Sequence, residues 1–198
     1  MADDSFSFIL ASASPRRQQL LNQAGYKFRI IPSDIDESYL PMGTMPPADY
    51  ARTLALAKAK NIADKYPESL VIGADTIVDF NGEIIGKADD DKQAEQIIRK
   101  LFSTNHKVIT GVAIVQISQG IEIVQSDTTI IYPRKMTEEQ IAAHIKGQTW
   151  QGKAGAYAIQ ETGDEFVERI DGSLTNVVGL PMELLETMLN SIGKKPPK

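Results

Sequence analysis

Short apolar runs alternate with amphipathic stretches along the whole chain. Runs of about four to eight apolar residues are typical of buried strands, whereas apolar residues about three or four apart are typical of helices. The apolar runs predict strands over 8–11, 28–31, 70–72, 76–80, 83–85, 108–117, 121–131, 154–159 and 166–170. The amphipathic stretches predict helices over 15–24, 47–66, 137–147 and 181–189, and one more that begins at 89–91. This alternation predicts an α/β fold with a mixed twisted sheet and helices packed around it.

Turn and cap residues mark several boundaries between these elements. Asn81-Gly82 is a common type I′ turn sequence and predicts a hairpin. Thr137-Glu138-Glu139-Gln140 has the sequence of a capping box and predicts the start of a helix. Gly73-Ala74-Asp75 follows a short apolar run and is expected to be a turn from which the carboxylate faces a cleft.

Composition indicates a single domain over residues 1–198. With 42% apolar residues the chain can bury a core, and it has no cysteine for disulfides, thiolate nucleophiles or zinc–thiolate sites. Because we find no secretory signal and no apolar run long enough to span a bilayer, we expect a cytoplasmic protein with no membrane partner. The net charge of −5 argues against a nucleic-acid partner, which would call for a basic face. Residues 194–198 are expected to form a disordered tail.

The segment between the first strand and the first helix carries two hydroxyls and two guanidiniums. Ser14 followed by Pro15 is typical of a helix N-cap and first helical position. Backbone N–H groups and the positive end of the dipole at a helix start favour a phosphate. Ser12, Ser14, Arg16 and Arg17 are therefore candidate phosphate ligands, although a capped helix with two solvated arginines has the same sequence.

Carboxylates in two predicted loops form a second candidate group. Glu37 lies in an acidic loop after the second predicted strand, and Asp75 lies in the Gly-Ala-Asp-Thr turn. Carboxylate oxygens suit Mg²⁺ or Mn²⁺, so Glu37 and Asp75 are predicted to share a divalent ion that also binds a triphosphate. The alternatives are a turn-capping aspartate and a helix-capping loop. Thr76 either lies against a substrate through its hydroxyl or packs as a strand residue. His106 and His144 are too scattered for a metal site and are expected to be structural.

Three lysines are candidates for holding the phosphates. Lys87 follows Gly86 at the end of the predicted hairpin, where a compact ammonium can reach a phosphate. The surrounding sequence is not a P-loop, because the spacing is one residue short and Ala88 stands where a Ser or Thr belongs. Lys58 and Lys153 complete a basic ring in this interpretation, although a solvated surface charge is the commoner role for either lysine alone.

Six blocks of sequence, in this order, resemble the Maf family of nucleotide pyrophosphatases. They are 12–17 (Ser-Ala-Ser-Pro-Arg-Arg), 73–78 (Gly-Ala-Asp-Thr-Ile-Val), 86–87 (Gly-Lys), 110–112 (Thr-Gly-Val), 153–160 (Lys-Ala-Gly-Ala-Tyr-Ala-Ile-Gln) and 178–181 (Val-Gly-Leu-Pro). The resemblance extends from residue 9 to about residue 189. It implies a two-lobed fold with a cleft, similar to that of inosine triphosphate pyrophosphatases, and hydrolysis of nucleoside triphosphates to the monophosphate and pyrophosphate.

The resemblance also assigns roles to particular residues. Asp75 is implied to be the proton acceptor, with Lys87 and Glu37 in the catalytic group and Mg²⁺, Mn²⁺ or Co²⁺ as the cofactor. Arg16, Lys87 and Gln160 resemble the signature of the branch that acts on dTTP and UTP. An amide such as Gln160 can pair with the acceptor and donor edge of uracil or thymine. Ala88 departs from the proline that family members usually have after this lysine. A homodimer is expected.

Two other functions remain open from the sequence alone. Maf relatives have been tied to inhibition of septum formation, so one alternative is a nucleotide-binding regulator of cell division without turnover. The second is pyrophosphate release from a modified nucleotide. A carboxylate base such as Asp75 favours an enzyme, because a pure sensor has no need of a base beside the phosphates.

Overall fold

The computed structural model describes residues 7–40, 43–157 and 166–194. Their strands form a seven-stranded mixed sheet. The strands are β1 (Ser7–Leu10), β2 (Lys27–Ile30), β3 (Val71–Phe80), β4 (Glu83–Ile85), β5 (His106–Gln116), β6 (Ile121–Pro133) and β7 (Val167–Asp171). Their order is β2-β1-β3-β5-β6-β7, with β4 beside β3. β1 is parallel to β2 and β3, and the other pairs are antiparallel. The predicted mixed α/β sheet is confirmed.

Helices cover both faces of this sheet. They are α1 (Pro15–Gln23), α2 (Pro47–Ala63), α3 (Asp91–Leu101), α4 (Glu138–Lys146), α5 (Leu174–Val178) and α6 (Met182–Ser191). Short 3-10 turns lie at Glu37–Tyr39 and Ile117–Gln119. The Asn81-Gly82 hairpin is confirmed, with positive φ at both residues, and the capping box at Thr137 is formed. No helix among the described residues is long and apolar enough to cross a membrane.

Two separate apolar clusters pack on one face of the sheet. The first joins α1, α5 and α6 to β1 and β3, around Leu21, Ile72 and Leu185. The second joins α3, α4 and residues 150–157 to the far ends of β3 and β5, around Ile98 and Trp150. Because side chains alternate along a strand, the even-numbered residues of β3 face both clusters, and polar Thr76 lies between them. This polar position separates the two halves of the core.

Helix α2 packs on the opposite face through small residues. A Cβ at Gly73 would collide with the carbonyl oxygen of Ala55, and one at Gly111 would collide with that of Ala51. Only glycine therefore lets the helix lie this close to β3 and β5. Gly111 is also the cross-strand partner of Asp75, so the close approach brings the helix directly over that carboxylate.

One edge of β3 is partly uncovered. β1 pairs with it only at Val71 and Ile72, and β4 pairs with it only from Val78 onward. Among the described residues, positions 73–77 have no strand partner on this edge, whereas β5 pairs with them on the other. The gap between the ends of β1 and β4 opens a cleft.

Three sequence predictions about elements need correction. Asp75 lies inside β3, because β5 pairs with that strand from residue 71 to 79 and leaves no turn at 73–75. The helix predicted over 47–66 ends at Ala63. Residues 154–157 of the strand predicted over 154–159 form a turn, with one bridge from Ala154 to Lys87 and a left-handed φ of 57° at Ala156. Residues 158–160, like 195–198 of the predicted tail, lie outside the described residues.

Candidate active site

The cleft beside the open edge of β3 has a volume of about 700 Å³. The end of the loop after β1 and the start of α1, residues 12–17, line it together with Gly86 and Lys87. Helix α2 contributes Lys58, and the loop after α5 contributes Gly179. The fold therefore brings five of the six sequence blocks, distant along the chain, to one cavity.

The start of α1 forms the anion-binding end of this cleft. Ser14 is the N-cap residue, but its side chain makes no capping hydrogen bond. Its hydroxyl and the first N–H groups of the helix are therefore available to a ligand, and the dipole favours a negative one. Arg16 lines the cleft, is partly exposed and has no ion-pair partner among the described residues. Ser12 lines the cleft as well and accepts a hydrogen bond from the backbone N–H of Ser14 at 3.3 Å.

Lys58 bridges the two candidate carboxylates. Its Nζ donates to Asp75 Oδ1 at 2.5 Å and lies 2.8 Å from Glu37 Oε1. Asp75 is only 8% exposed, whereas half of the Glu37 side chain is exposed. Burial raises the pKa of Asp75, while the charges of Lys58 and Arg17 oppose that rise. The result is a buried carboxylate that is more basic than usual and has cations beside it.

The carboxylates and Lys58 meet the geometric condition for a shared cation. No group of three or more His, Cys, Asp or Glu that could hold a metal occurs within the ranges the structure describes. Two carboxylate oxygens nevertheless converge on one positive charge, which here is the ammonium of Lys58. Magnesium usually keeps several waters and takes only one or two protein carboxylates. Glu37 and Asp75 therefore fit a divalent ion, provided that Lys58 moves aside.

Arg17, in contrast to Arg16, is buried and held by protein oxygens. Its Nε donates to the carbonyl of Gly179 at 2.7 Å, Nη1 to Ser12 Oγ at 2.9 Å, and Nη2 to Thr76 Oγ1 at 3.1 Å. Each nitrogen of the guanidinium thus donates to a protein oxygen in the wall of the cleft, although the sequence had made Arg17 a candidate phosphate ligand beside Arg16.

A chain of polar groups continues from Thr76 into the core. Thr76 Oγ1 lies 2.9 Å from Thr110 Oγ1, and the Thr110 hydroxyl donates to the carbonyl of Asn176 at 3.0 Å. Asn176 Nδ2 in turn donates to the carbonyl of Val108. Sequence reasoning gave Thr110, Asn176 and Gly179 no role of their own. The family blocks around Thr110 and Gly179 were the available signal, but the contact partners were not in the sequence.

The remaining candidates differ in position. Lys87 is exposed at the rim of the cleft and has no ion-pair partner among the described residues. Lys153 does not line the cleft, and its ammonium donates to the carbonyl of Thr149. The predicted basic ring therefore includes Lys58 and Lys87 but not Lys153. Gln160 lies outside the described residues.

Apolar side chains also line the cleft. Val108, Tyr157 and Val177 belong to the second apolar cluster, whereas Ile84 packs against the α2 face of the sheet. Tyr157 OH lies 2.6 Å from Nε2 of buried His106, whose Nδ1 lies 3.1 Å from the carbonyl of Leu101. Because Nδ1 must donate to the carbonyl, Nε2 accepts from the tyrosine. Burial lowers the pKa of His106 to about 4, which keeps the ring neutral.

His144 is buried as well, and its Nε2 donates to the carbonyl of Ala156 at 2.9 Å. Both histidines are thus buried and hydrogen-bonded to backbone carbonyls, as expected of structural residues.

Fold and site together define an α/β protein whose cleft is lined by the start of a helix, by Arg16 and Lys87, and by the buried carboxylate of Asp75. Two solved structures share the fold: a HAM1 protein from Coxiella burnetii (TM-score 0.52, 14% identity, 94% of this chain and 99% of that chain) and the Ham1 protein of Staphylococcus aureus (TM-score 0.51, 13% identity, 94% and 100%). At these identities the likeness shows the fold alone.

The sequence assigns the family. Residues 7–192 match the family model described as Maf-like protein. Relatives named dTTP/UTP pyrophosphatase include those of Ruminiclostridium cellulolyticum (42% identity, 96% of this chain and 97% of the relative) and Elusimicrobium minutum (44%, 93% and 98%). The chain belongs to the Maf-like protein family, as the six blocks predicted.

Proposed function

We propose that this protein hydrolyses dTTP and UTP to the nucleoside monophosphate and pyrophosphate. One observation carries the proposal: a buried carboxylate, Asp75, lies in the same cleft as the open start of α1 and the guanidinium of Arg16, which has no ion-pair partner within the described part of the chain. The names of the relatives support the choice of substrates.

The residues have separate tasks in this reaction. The N-terminus of α1, Arg16 and Lys87 bind the phosphate oxygens and stabilise the charge that develops on the leaving pyrophosphate. Asp75 accepts a proton from the attacking water. The water oxygen bonds to the α-phosphorus, the bond from that phosphorus to the bridging oxygen breaks, and pyrophosphate leaves with the electron pair. In the ion-free cleft burial raises the pKa of Asp75, and the charges of Lys58 and Arg17 oppose that rise.

Glu37 and Asp75 would hold a divalent cation, Mg²⁺, Mn²⁺ or Co²⁺. When bound there, the ion supplies charge neutralisation and polarisation of the phosphoryl oxygens. With a cation held there, the ammonium of Lys58, which lies between the carboxylates, would be available to contact the triphosphate. The carboxylate pair would then have a positive charge beside it both with and without the cation.

Selectivity for a pyrimidine is proposed to depend on the apolar lining of the cleft and on Gln160. Val108, Tyr157 and Val177, which belong to one apolar cluster, offer non-polar surface for a base. Gln160 follows the cleft residue Tyr157 by three positions along the chain. Its amide is proposed to read the edge of uracil or thymine.

A panel of the canonical nucleoside triphosphates and of modified pyrimidine triphosphates, assayed for pyrophosphate release with each metal, tests the proposal. We expect turnover to be fastest with dTTP and UTP and to stop in excess EDTA. Nucleotide binding without turnover would instead support a regulator of cell division, and preference for a modified base would change the proposed substrate.

A homodimer and a cytoplasmic location stay predictions from the sequence. Sedimentation velocity at micromolar concentration and cell fractionation test them.

A further inference from the structure

Adjacent arginines at the start of α1 have opposite environments. Arg16 is partly exposed in the cleft without an ion-pair partner among the described residues, whereas Arg17 is 9% exposed. Within the described residues, the three hydrogen bonds of Arg17 go to neutral oxygens rather than to a carboxylate. A buried guanidinium held by neutral acceptors keeps its positive charge. The two arginines therefore differ in which groups they can contact, although they are adjacent in the sequence.

The three acceptors of Arg17 belong to segments that are far apart in sequence. Ser12 is in the loop after β1, Thr76 is in the exposed part of β3, and Gly179 follows α5. Each segment lines the cleft. Gly179 has a φ of 125°, which favours glycine, and a Cβ there would lie 3.7 Å from Arg17 Nε. The guanidinium thus joins three walls of the cavity at one point.

The hydrogen bonds of Thr110 determine which of the two threonine hydroxyls donates and which accepts. The Thr110 hydroxyl gives its proton to the carbonyl of Asn176, so it accepts from the Thr76 hydroxyl. Thr76 accordingly accepts from Arg17 and donates to Thr110. Asp75 immediately precedes Thr76 on β3, so the stretch of backbone that Thr76 anchors also carries the carboxylate.

We propose that Arg17 is a positioning residue, which holds the phosphate-binding loop, the Asp75 segment of β3 and the loop at Gly179 in register without touching the triphosphate. This inference rests on the proposed pyrophosphatase function. It assigns phosphate contact to Arg16 alone of the two arginines. Planarity of Arg17 is essential, because one compact ammonium cannot span three acceptors in a fork.

Lysine substitutions separate the two roles. A phosphate contact needs a positive charge, which lysine also supplies, whereas the fork of Arg17 needs a guanidinium. We therefore expect Arg16→Lys to raise the KM for UTP with a modest fall in kcat. Arg17→Lys should lower kcat by about 30-fold or more and change KM by less than about threefold, because a small misplacement of reacting groups costs up to about 10²-fold.

A double-mutant cycle identifies the route through which Arg17 acts. If it acts through Thr76, adding Thr76→Val to Arg17→Lys should lower kcat little further, since coupled residues are not additive. Thermal unfolding of each variant verifies that it is folded. Should Arg17→Lys not fold, Thr76→Val and Ser12→Ala remove two acceptors of the fork and keep the charge, and each is expected to lower kcat in the same way.

The results distinguish this inference from the proposed function. Near wild-type kcat in Arg17→Lys, or in Thr76→Val and Ser12→Ala together, would overturn the positioning role while leaving the activity intact. Independent, multiplying effects of Arg17→Lys and Thr76→Val would overturn it as well. No pyrophosphate release from UTP or dTTP by the wild-type protein would overturn the proposed function and this inference with it.

Discussion

Replacement of Lys58 by methionine should expose a competition between an internal cation and a metal. The ammonium of Lys58 occupies the point where Asp75 and Glu37 converge. A metal ion that binds the nucleotide-free protein must displace it. Methionine has a similar length and no charge, so Lys58→Met removes this competitor and leaves both carboxylates in place. We expect the variant to bind Mn²⁺ more tightly than the wild type while losing hydrolytic activity.

The expected change in Mn²⁺ affinity follows from the two contacts that Lys58 makes. A hydrogen bond to a charged group contributes about 1.5–3 kcal/mol, and this range suits the contact with buried Asp75. The contact with Glu37 adds little, because that side chain is 52% exposed and solvent screens exposed ion pairs. A total of about 2 kcal/mol corresponds to a Kd for Mn²⁺ that is about 30-fold lower.

Electron paramagnetic resonance of free Mn²⁺ measures this affinity without nucleotide and without turnover. Lys60→Met is the matched control, because Lys60 lies on the same helix and pairs with Glu122, away from the cleft. We expect wild-type affinity in this control. An unchanged or weaker Mn²⁺ affinity in Lys58→Met would refute the competition.

Further predictions concern packing, pH and selectivity. Gly111→Ala should lower the free energy of unfolding, measured by urea titration, by about 2 kcal/mol or more, because the new Cβ meets the backbone of Ala51. In the control Gly86→Ala the new Cβ lies in open space, and the free energy of unfolding should change by less than about 0.5 kcal/mol. His106 has a folded pKa of about 4 against 6.5. As pH falls, the unfolded chain therefore binds a proton at His106 before the folded chain does, so about 3 kcal/mol of the free energy of unfolding should be lost between pH 6.5 and 4. His106→Gln should reduce this loss. An equal dependence of the unfolding free energy on pH in both proteins would contradict the prediction. Gln160→Ala should bring the ratio of kcat/KM for UTP over CTP toward one from about tenfold or more, and an unaltered ratio would show that base choice lies elsewhere.

Much of the fold was predictable because its signals are local. Apolar periodicity and the Asn81-Gly82 turn need only neighbouring residues, and the strands and hairpin followed from them. The Gly73-Ala74-Asp75 turn was wrong for a non-local reason. The glycine serves the close approach of α2 rather than a change of chain direction, and only the folded helix reveals that. The short helix α5 has too few residues for a periodic pattern.

The site was predictable in its residue types more than in its contacts. Charge and the chemistry of a helix start predicted both Arg16 and Arg17 as phosphate ligands. In the structure Arg17 is buried and Arg16 is not. The environment of Arg17 includes the carbonyl of Gly179, which is 162 positions away in the chain and so cannot be recognised from local sequence. Glu37 and Asp75 were expected to share a cation, and their oxygens do converge. Sequence alone gave no sign that Lys58 supplies the positive charge there, because that contact depends on the packing of α2.

The most direct test of the proposed function compares pyrophosphate release from UTP by the wild-type protein and Asp75→Asn with Mg²⁺. Asparagine keeps the size of the side chain but removes its basic carboxylate. We expect steady pyrophosphate release by the wild type and a loss of about 10²-fold or more in the variant, with UTP still bound. Near wild-type kcat in Asp75→Asn, or no pyrophosphate release by the wild type, would contradict the role of Asp75 as the base of a pyrophosphatase.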